Sequence, residues 1–177
     1  MCDGESVLLR PMTERDLGTM ARWDADQELT NLMGGVVRCE DESRARFAKL
    51  LGDRNSVTMA VLTQGGLLIG DIELTEIAWR SGDAELVVRI GDPAYRGRGI
   101  GARIVSSMLT VAFEQLNLAR VYLRVCADNH RAIRCYHKCG FRREGVVRRN
   151  LGPNDDARMV VLMTILRSDF IRMEAAS

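Results

Sequence analysis

Apolar and polar positions along this chain follow two periods, and the changes between them lay out a series of elements. Residues 6–10 alternate as a short strand. Pro11-Met12-Thr13 then leads into a helix over 14–23, with Thr13 as N-cap and Asp16 three residues on as its reciprocal partner. Asn31-Leu32-Met33-Gly34-Gly35 reads as a loop, and 40–51 as a second helix with Phe47, Leu50 and Leu51 as its apolar stripe. The β-rich runs 57–63 and 67–77 are joined by Gln64-Gly65-Gly66, which marks a hairpin. Arg80-Ser81-Gly82-Asp83 turns into a further strand, 84–90, and Gly91-Asp92-Pro93 ends it because proline cannot continue a ladder.

Beyond this strand the period becomes helical. Ile100, Ile104, Met108, Val111 and Ala112 fall on one side at helical spacing, so the helical run 102–116 packs on a sheet. A strand over 121–126 follows, then a helix that Asn129 caps and Gly140 ends, then a last pair of strands over 141–147 and 158–167. Hairpin strands alternating with helices imply an α/β layer in which helices cover a central mixed, mostly antiparallel sheet. Repeats, low-complexity tracts and linkers are absent from the sequence.

Composition narrows the class. A chain of 177 residues, 46% hydrophobic and 28% charged, is long enough for one substantial core and short for two, so residues 1–177 read as a single domain. No apolar run approaches a membrane span, and Met1-Cys2-Asp3-Gly4-Glu5 lacks the basic-then-apolar pattern of a secretory signal, so a cytoplasmic protein away from membranes is expected. Five cysteines, at 2, 39, 126, 135 and 139, are an odd number that suits reduced thiols rather than a disulfide framework. The net charge of +1 and the lack of aromatics interleaved with the arginines argue against nucleic acid as a partner. That average conceals two unlike halves: residues 1–90 carry 16 acidic and 10 basic side chains, and residues 91–177 carry 8 and 15. A basic half suits a polyphosphate ligand, and an acidic half suits a cationic one, unless both are merely solvated faces.

The candidate chemistry centres on Arg96-Gly97-Arg98-Gly99-Ile100-Gly101, immediately before a helix. Glycines at alternate positions let the backbone turn and approach a ligand, N–H groups at a helix start converge on an anion, and Arg96 and Arg98 add positive potential. The group reads as a pyrophosphate cradle. Cys126, His130, Cys135, His137 and Cys139 lie close together in sequence but contain no Cys-x-x-Cys pair, and Cys135 and His137 diverge on a helix, so no metal site is assigned.

Arg96, Gly99 and Gly101 meet a Gln/Arg-x-x-Gly-x-Gly/Ala pattern, and Asn129, Ala132, Tyr136, Gly140 and Phe141 meet Asn-x-x-Ala-x-x-x-Tyr-x-x-x-Gly-Phe. In this order and at this separation, over about residues 6–167, the chain resembles the GNAT superfamily of N-acetyltransferases. The resemblance implies a single GNAT-like domain whose sheet splays between strands 84–90 and 121–126, with acetyl-CoA in the gap and no metal. It places the pyrophosphate on the backbone of Arg96, Gly97, Arg98, Gly99, Ile100, Gly101 and Ala102, and the pantetheine arm on main-chain groups of Val87, Val88 and Arg89. The N–H near Val88 becomes the oxyanion donor and Asn129 a hydrogen-bonding partner of the cofactor arm.

Acetyl transfer to an amine needs an acid for the departing thiolate and a base for the incoming ammonium. Tyr136, two helical turns beyond Asn129, is the candidate acid, since a phenol's ordinary pKa of about 10 lies near that of a thiol. Glu85 and Glu73 are the candidate bases, although in a half-exposed hairpin either can simply face water.

Glu144-Gly145-Val146-Val147-Arg148, Gly152, Asp156 and Met159 resemble the branch holding ribosomal-protein N-terminal and polyamine acetyltransferases, and residues 132–136 resemble aminoglycoside acetyltransferases. The expectation is direct transfer in a ternary complex to a primary amine, with a protein N-terminus ahead of a polyamine such as spermidine or an aminoglycoside. Asp24, Asp26, Glu28, Glu40, Asp41 and Glu42 would favour a polycation, or are solvated. A catalytically silent CoA-binding module is the further alternative, against which Tyr136 and Asn129 speak. The resemblance also allows a homodimer.

Overall fold

The computed structural model describes residues 6–35, 37–150 and 157–176, so Met1-Cys2-Asp3-Gly4-Glu5, Gly152 and Asp156 lie outside the described residues. Seven strands among the described residues form one sheet: β1 (Val7–Pro11), β2 (Val57–Thr63), β3 (Leu68–Ala78), β4 (Asp83–Ile90), β5 (Arg120–Cys126), β6 (Arg142–Asn150) and β7 (Ala157–Leu166). Their order across the sheet is β1-β2-β3-β4-β5-β7-β6. Every neighbouring pair is antiparallel except β4 and β5, which run parallel and meet only at Asp83↔Arg120, Ala84↔Val121 and Glu85↔Tyr122. Past Glu85 the two strands part, and this is the splay expected between them.

Among the described residues six helices cover the sheet: α1 (Leu17–Asp24), α2 (Gln27–Met33), α3 (Glu40–Gly52), α4 (Ile100–Thr110), α5 (His130–Lys138) and α6 (Arg167–Glu174). The first opens with a 3-10 turn, Glu14–Asp16, where the Thr13 N–H donates to Asp16 Oδ2 at 2.9 Å and Arg10 pairs with the same carboxylate. Two helices depart from the sequence reading. Asn31-Leu32-Met33 is the end of α2 rather than a loop, because Asp26 accepts from the Leu29 N–H at 3.1 Å and Gly34 closes the helix at φ +66°. A seven-residue helix is too short to show a period, so its caps carry the whole signal. The C-terminal α6 was not anticipated either; one buried aromatic, Phe170, anchors it, its ring centroid 5.2 Å from that of Phe113. Helix α4 begins two residues earlier than expected and passes into a π-helical turn, Val111–Gln115.

Alternation along the strands divides the core. Ile72 and Leu74 of β3, Leu86 of β4 and Val61 of β2 pack with Ile100, Ile104 and Met108 of α4 in the larger cluster, which also takes in Phe141 and Phe170. On the opposite face Ala60 and Leu62 join Met12, Met20 and Phe47 beneath α1 and α3. Asp71 and Glu73 belong to that second face yet are only 2% and 1% exposed. The alternative in which the hairpin glutamates simply face water does not hold, for α1 and α3 roof over Glu73 and Glu85 too is buried, at 7%. No helix among the described residues is long and apolar enough to cross a membrane.

Candidate active site

The cradle is built by backbone. Gly97 and Gly99 have φ of +84° and +77°, a region that costs other L-residues about 1–2 kcal/mol. Gly99 is the N-cap of α4 and offers no side chain to the first helical N–H groups, which are left as donors. Above the turn lies Arg131 of α5, its guanidinium 3.5 Å from where a Cβ on Gly97 would sit. An uncapped helix start, two left-handed turns and a guanidinium are a donor set that fits a diphosphate. Arg98 stacks 5.6 Å from the centre of the Tyr95 ring.

Arg96 points elsewhere. Its Nε donates to the Ile90 carbonyl at 2.9 Å and its Nη2 to the Gly91 carbonyl at 2.8 Å. The side chain read as phosphate-facing potential is therefore a strut between the cradle and the end of β4, and only its backbone remains available to the anion. Charge is visible in a sequence, whereas direction is not. Between this strut and the three pairs with β5, the β5-facing edge of β4 has no strand partner, and Val87, Val88 and Arg89 lie along that stretch.

Helix α5 closes the cradle from the side. Cys135 Sγ lies 3.4 Å from the position of a Cβ on Gly101, and Cys139 Sγ donates to the Ala102 carbonyl at 3.5 Å, so both cysteines are packing contacts between α4 and α5. Cys39, Cys126, Cys135 and Cys139 are all free thiols, and among the described residues no group of three or more His, Cys, Asp and Glu is placed to hold a metal. Asn129 accepts from the Ala132 N–H at 3.1 Å as the helix cap and reaches the Leu32 carbonyl of α2 at 3.4 Å. Arg158 of β7 donates to the neighbouring Asn31 carbonyl at 3.0 Å, so α2 is held over the same end of the sheet.

Tyr136 packs edge-on to Phe141, with ring centroids 5.9 Å apart, and its hydroxyl has no hydrogen-bond partner among the described residues. Burial pushes its pKa well above that of a free phenol, with Cys135 and Cys139 adding to the shift. Tyr122, at the last pair shared by β4 and β5, is committed instead: its hydroxyl donates to Glu76 at 3.0 Å, and burial and that carboxylate push it up to about 12.

The acceptor side holds a layer of buried charge. Arg89 projects from β4 beneath α1, donates from Nε to Asp71 at 2.7 Å, pairs through Nη1 with Asp24, and lies 5.5 Å from the centre of the Trp23 ring. Burial opposes its charge, but the two carboxylates outweigh that and hold it above an ordinary arginine. Asp24 also accepts from Ser43 Oγ at 2.8 Å; although burial works against its charge, Arg89 and Ser43 hold it below the ordinary aspartate range. Glu73 receives Arg46 Nη2 at 3.0 and 3.2 Å, yet burial and the nearby Asp71 push it above the usual carboxylate range. Glu85 is gripped by a two-nitrogen fork, Arg124 Nε at 2.6 Å and Arg124 Nη2 on the other oxygen.

A cleft of about 170 Å³ opens onto this layer, lined by Trp23, Leu29, Met33, Arg46, Val87 and Arg89 among others. Trp23 is seated by Gly91, where an added Cβ would fall 2.0 Å from the indole. The expected acceptor carboxylates divide. Asp24 is spent on Arg89, Asp26 and Glu42 on helix caps and Glu40 on Arg44. Glu28 and Asp41 are exposed and make no ion pair or hydrogen bond among the described residues. Sequence reasoning missed Arg131, Arg46 and Trp23. A usable signal for the first lay in the motif itself, two residues past the helix cap.

The Acetyltransferase (GNAT) domain family model matches residues 6–142. A spermidine N(1)-acetyltransferase of Vibrio cholerae is 30% identical over 131 residues, covering 74% of this chain and 75% of that one. An aminoglycoside N(6')-acetyltransferase type 1 of Klebsiella pneumoniae is 29% identical over 168 residues, covering 84% and 80%. Among solved structures, the Vibrio cholerae spermidine N-acetyltransferase in complex with CoA and spermine superposes with a TM-score of 0.86 at 26% identity, over 93% of this chain and 98% of that one.

Proposed function

The chain belongs to the GNAT acetyltransferase family, and from that premise we propose that its acceptor is a polyamine of the spermidine class. It is an acetyl-CoA-dependent N-acetyltransferase that carries an acetyl group to an amine. The carrying observation for the polyamine is the likeness, over 93% of this chain, to an enzyme solved with CoA and spermine. Glu28 on α2 and Asp41 in the first turn of α3 support it, as exposed carboxylates on two of the elements around the cleft. The order expected from sequence, a protein N-terminus first, is reversed, because both relatives described above act on small cationic amines. An aminoglycoside is the second reading, on the strength of the Klebsiella relative.

Each residue then has a role. The backbone of Arg96 to Ala102, with Arg131 above it, holds the diphosphate, and the free edge of β4 at Val87 to Arg89 takes the pantetheine arm. Ile90 and Val88 are two residues apart, so they aim their main-chain groups to the same edge, and the Val88 N–H is the donor for the developing oxyanion. Tyr136, protonated throughout the neutral range and free of other partners, gives its proton to the departing thiolate. Glu73 takes the proton of the acceptor ammonium; its proton affinity is raised, and it is held by a single nitrogen of Arg46, whereas Arg124 holds both oxygens of Glu85 in a fork. Asn129 fixes the start of α5 and with it the position of Tyr136.

Thiol release from acetyl-CoA, measured with spermidine, spermine, an aminoglycoside and peptides bearing a free Ser, Ala or Met N-terminus, tests the reading. Release with the polyamines is expected. Release with a peptide alone overturns the acceptor, and binding of acetyl-CoA without release by any amine makes the protein a silent binding module.

A further inference from the structure

Glu73 stands between two neighbours of opposite character. On the cleft side is Arg46 of α3, which reaches both carboxylate oxygens with a single nitrogen. Its side chain is 30% exposed and lines the cleft, whereas that of Glu73 is 2% exposed and does not, so the guanidinium separates the carboxylate from the acceptor. On the sheet side is Thr58, paired with Glu73 in the β2–β3 register and therefore on the same face. Thr58 Oγ1 is buried and has no hydrogen-bond partner among the described residues. Buried hydroxyls are rarely left unpaired, and this one lies beside a carboxyl group that sits above its ordinary proton affinity. Other charges on the same face are Asp71 on its own strand and, on β4, Arg89 and Glu85; Arg89 is already divided between Asp71 and Asp24 of α1, and Glu85 is held by Arg124 of β5.

We propose that Arg46 and Thr58 are positioning residues that hold Glu73 in its two protonation states, Arg46 the carboxylate and Thr58 the neutral acid. The inference rests on Glu73 being the base. An acceptor ammonium entering the cleft displaces Arg46, whose one-nitrogen grip releases more readily than the fork that holds Glu85. One N–H bond of the ammonium breaks, its electron pair stays on nitrogen, and an O–H bond forms on Glu73. That O–H donates to Thr58 Oγ1, which needs no rearrangement of the backbone because the two residues are register partners. The neutral amine attacks the thioester, the C–S bond breaks, Tyr136 protonates the thiolate, and the second proton shed by nitrogen as it becomes an amide restores Tyr136. Glu73 passes its proton to water as product leaves, and Arg46 returns.

The two residues act on Glu73 with opposite sign, and a merely structural role would not. Arg46 favours the charged form, so its loss raises the pKa of Glu73; Thr58 favours the neutral form, so its loss lowers it. The test is the pH profile of kcat/KM with spermidine, or whichever amine of the panel is turned over. Arg46→Met is expected to move the acidic limb up by about one pH unit or more, with Arg46→Lys returning part of the shift. Thr58→Val is expected to move it down by about half a unit, with Thr58→Ser restoring it. Limbs that stay in place, or move the same way in both variants, overturn the inference. Glu73→Gln separates the two layers of the argument: a slow enzyme without the limb confirms the base, and a fast enzyme with the limb intact removes the base and this inference together.

Discussion

Arg96 reaches back to Ile90, its Nε 2.9 Å from the carbonyl oxygen, and so ties the cradle to β4 at the point where the sheet has opened. A second nitrogen holds Gly91. Hydrogen bonds from a charged donor contribute about 1.5–3 kcal/mol each, so the strut fixes the cradle relative to the free strand edge. Arg96→Ala is expected to raise the KM for acetyl-CoA about tenfold or more while kcat changes less, and Arg96→Lys to recover little, since lysine cannot span two carbonyls as a planar fork. An unchanged KM in both variants would show that the cradle holds its shape without the strut.

Trp23 rests against Gly91, and that contact sets the shape of the acceptor cleft without touching the cradle glycines. In Gly91→Ala the new methyl group has to push the indole aside. The KM for the amine is expected to rise several-fold with that for acetyl-CoA nearly constant, a split that steady-state kinetics with each substrate varied in turn would resolve.

Tyr136 carries no hydrogen bond that a phenylalanine would break, so Tyr136→Phe is expected to fold normally and to bind acetyl-CoA with unchanged affinity by calorimetry. Turnover should fall about tenfold or more, the usual range for loss of a general acid. Because its folded pKa is raised, the phenol stays protonated beyond the ordinary value near 10, so wild-type activity should persist through that pH rather than decline. A fully active Tyr136→Phe enzyme would falsify the acid assignment.

Glu73 is expected to show a conflict between stability and catalysis. Its folded pKa lies above that of the unfolded chain, so its contribution to stability is fully present below the unfolded value near 4.3 and is lost as the pH rises through the folded one. Glu73→Gln should therefore melt near the wild type in mild acid and higher than it at neutral pH, by about 2–4 °C for each kcal/mol gained. Thermal melts at several pH values measure this directly, and a gap that narrows as pH rises would reverse the sign of the assignment.

The parts of the molecule legible in the sequence are those whose physics is local. A glycine that must take positive φ, an asparagine that caps a helix and a proline that ends a strand each act within a few residues, and Gly97, Gly99, Asn129 and Pro93 were read correctly for that reason. Helices α2 and α6 were missed because neither is long enough for a period, and α6 depends on Phe113, far away in the chain. The charged layer was illegible for another reason. Alternation predicts that Asp71 and Glu73 share a face, but whether that face meets water depends on where α1 and α3 come to rest. Matched registers, Asp71 with Arg89 and Glu73 with Thr58, were the concealed signal, and they become visible only once the strands are aligned.

An open sheet ordinarily has two edges, and this one has four, since β4 and β5 each turn an unpaired length toward the other once their three shared pairs are passed. Whatever is read along the inner edge of β4 is read by main-chain atoms, which every residue but proline supplies alike. Under the role proposed for that edge, Val88 is free to change among strand-forming residues, whereas a single proline there would remove its donor. The contact proposed for this edge is inherited from the shape of the sheet, and it asks little of the side chains there.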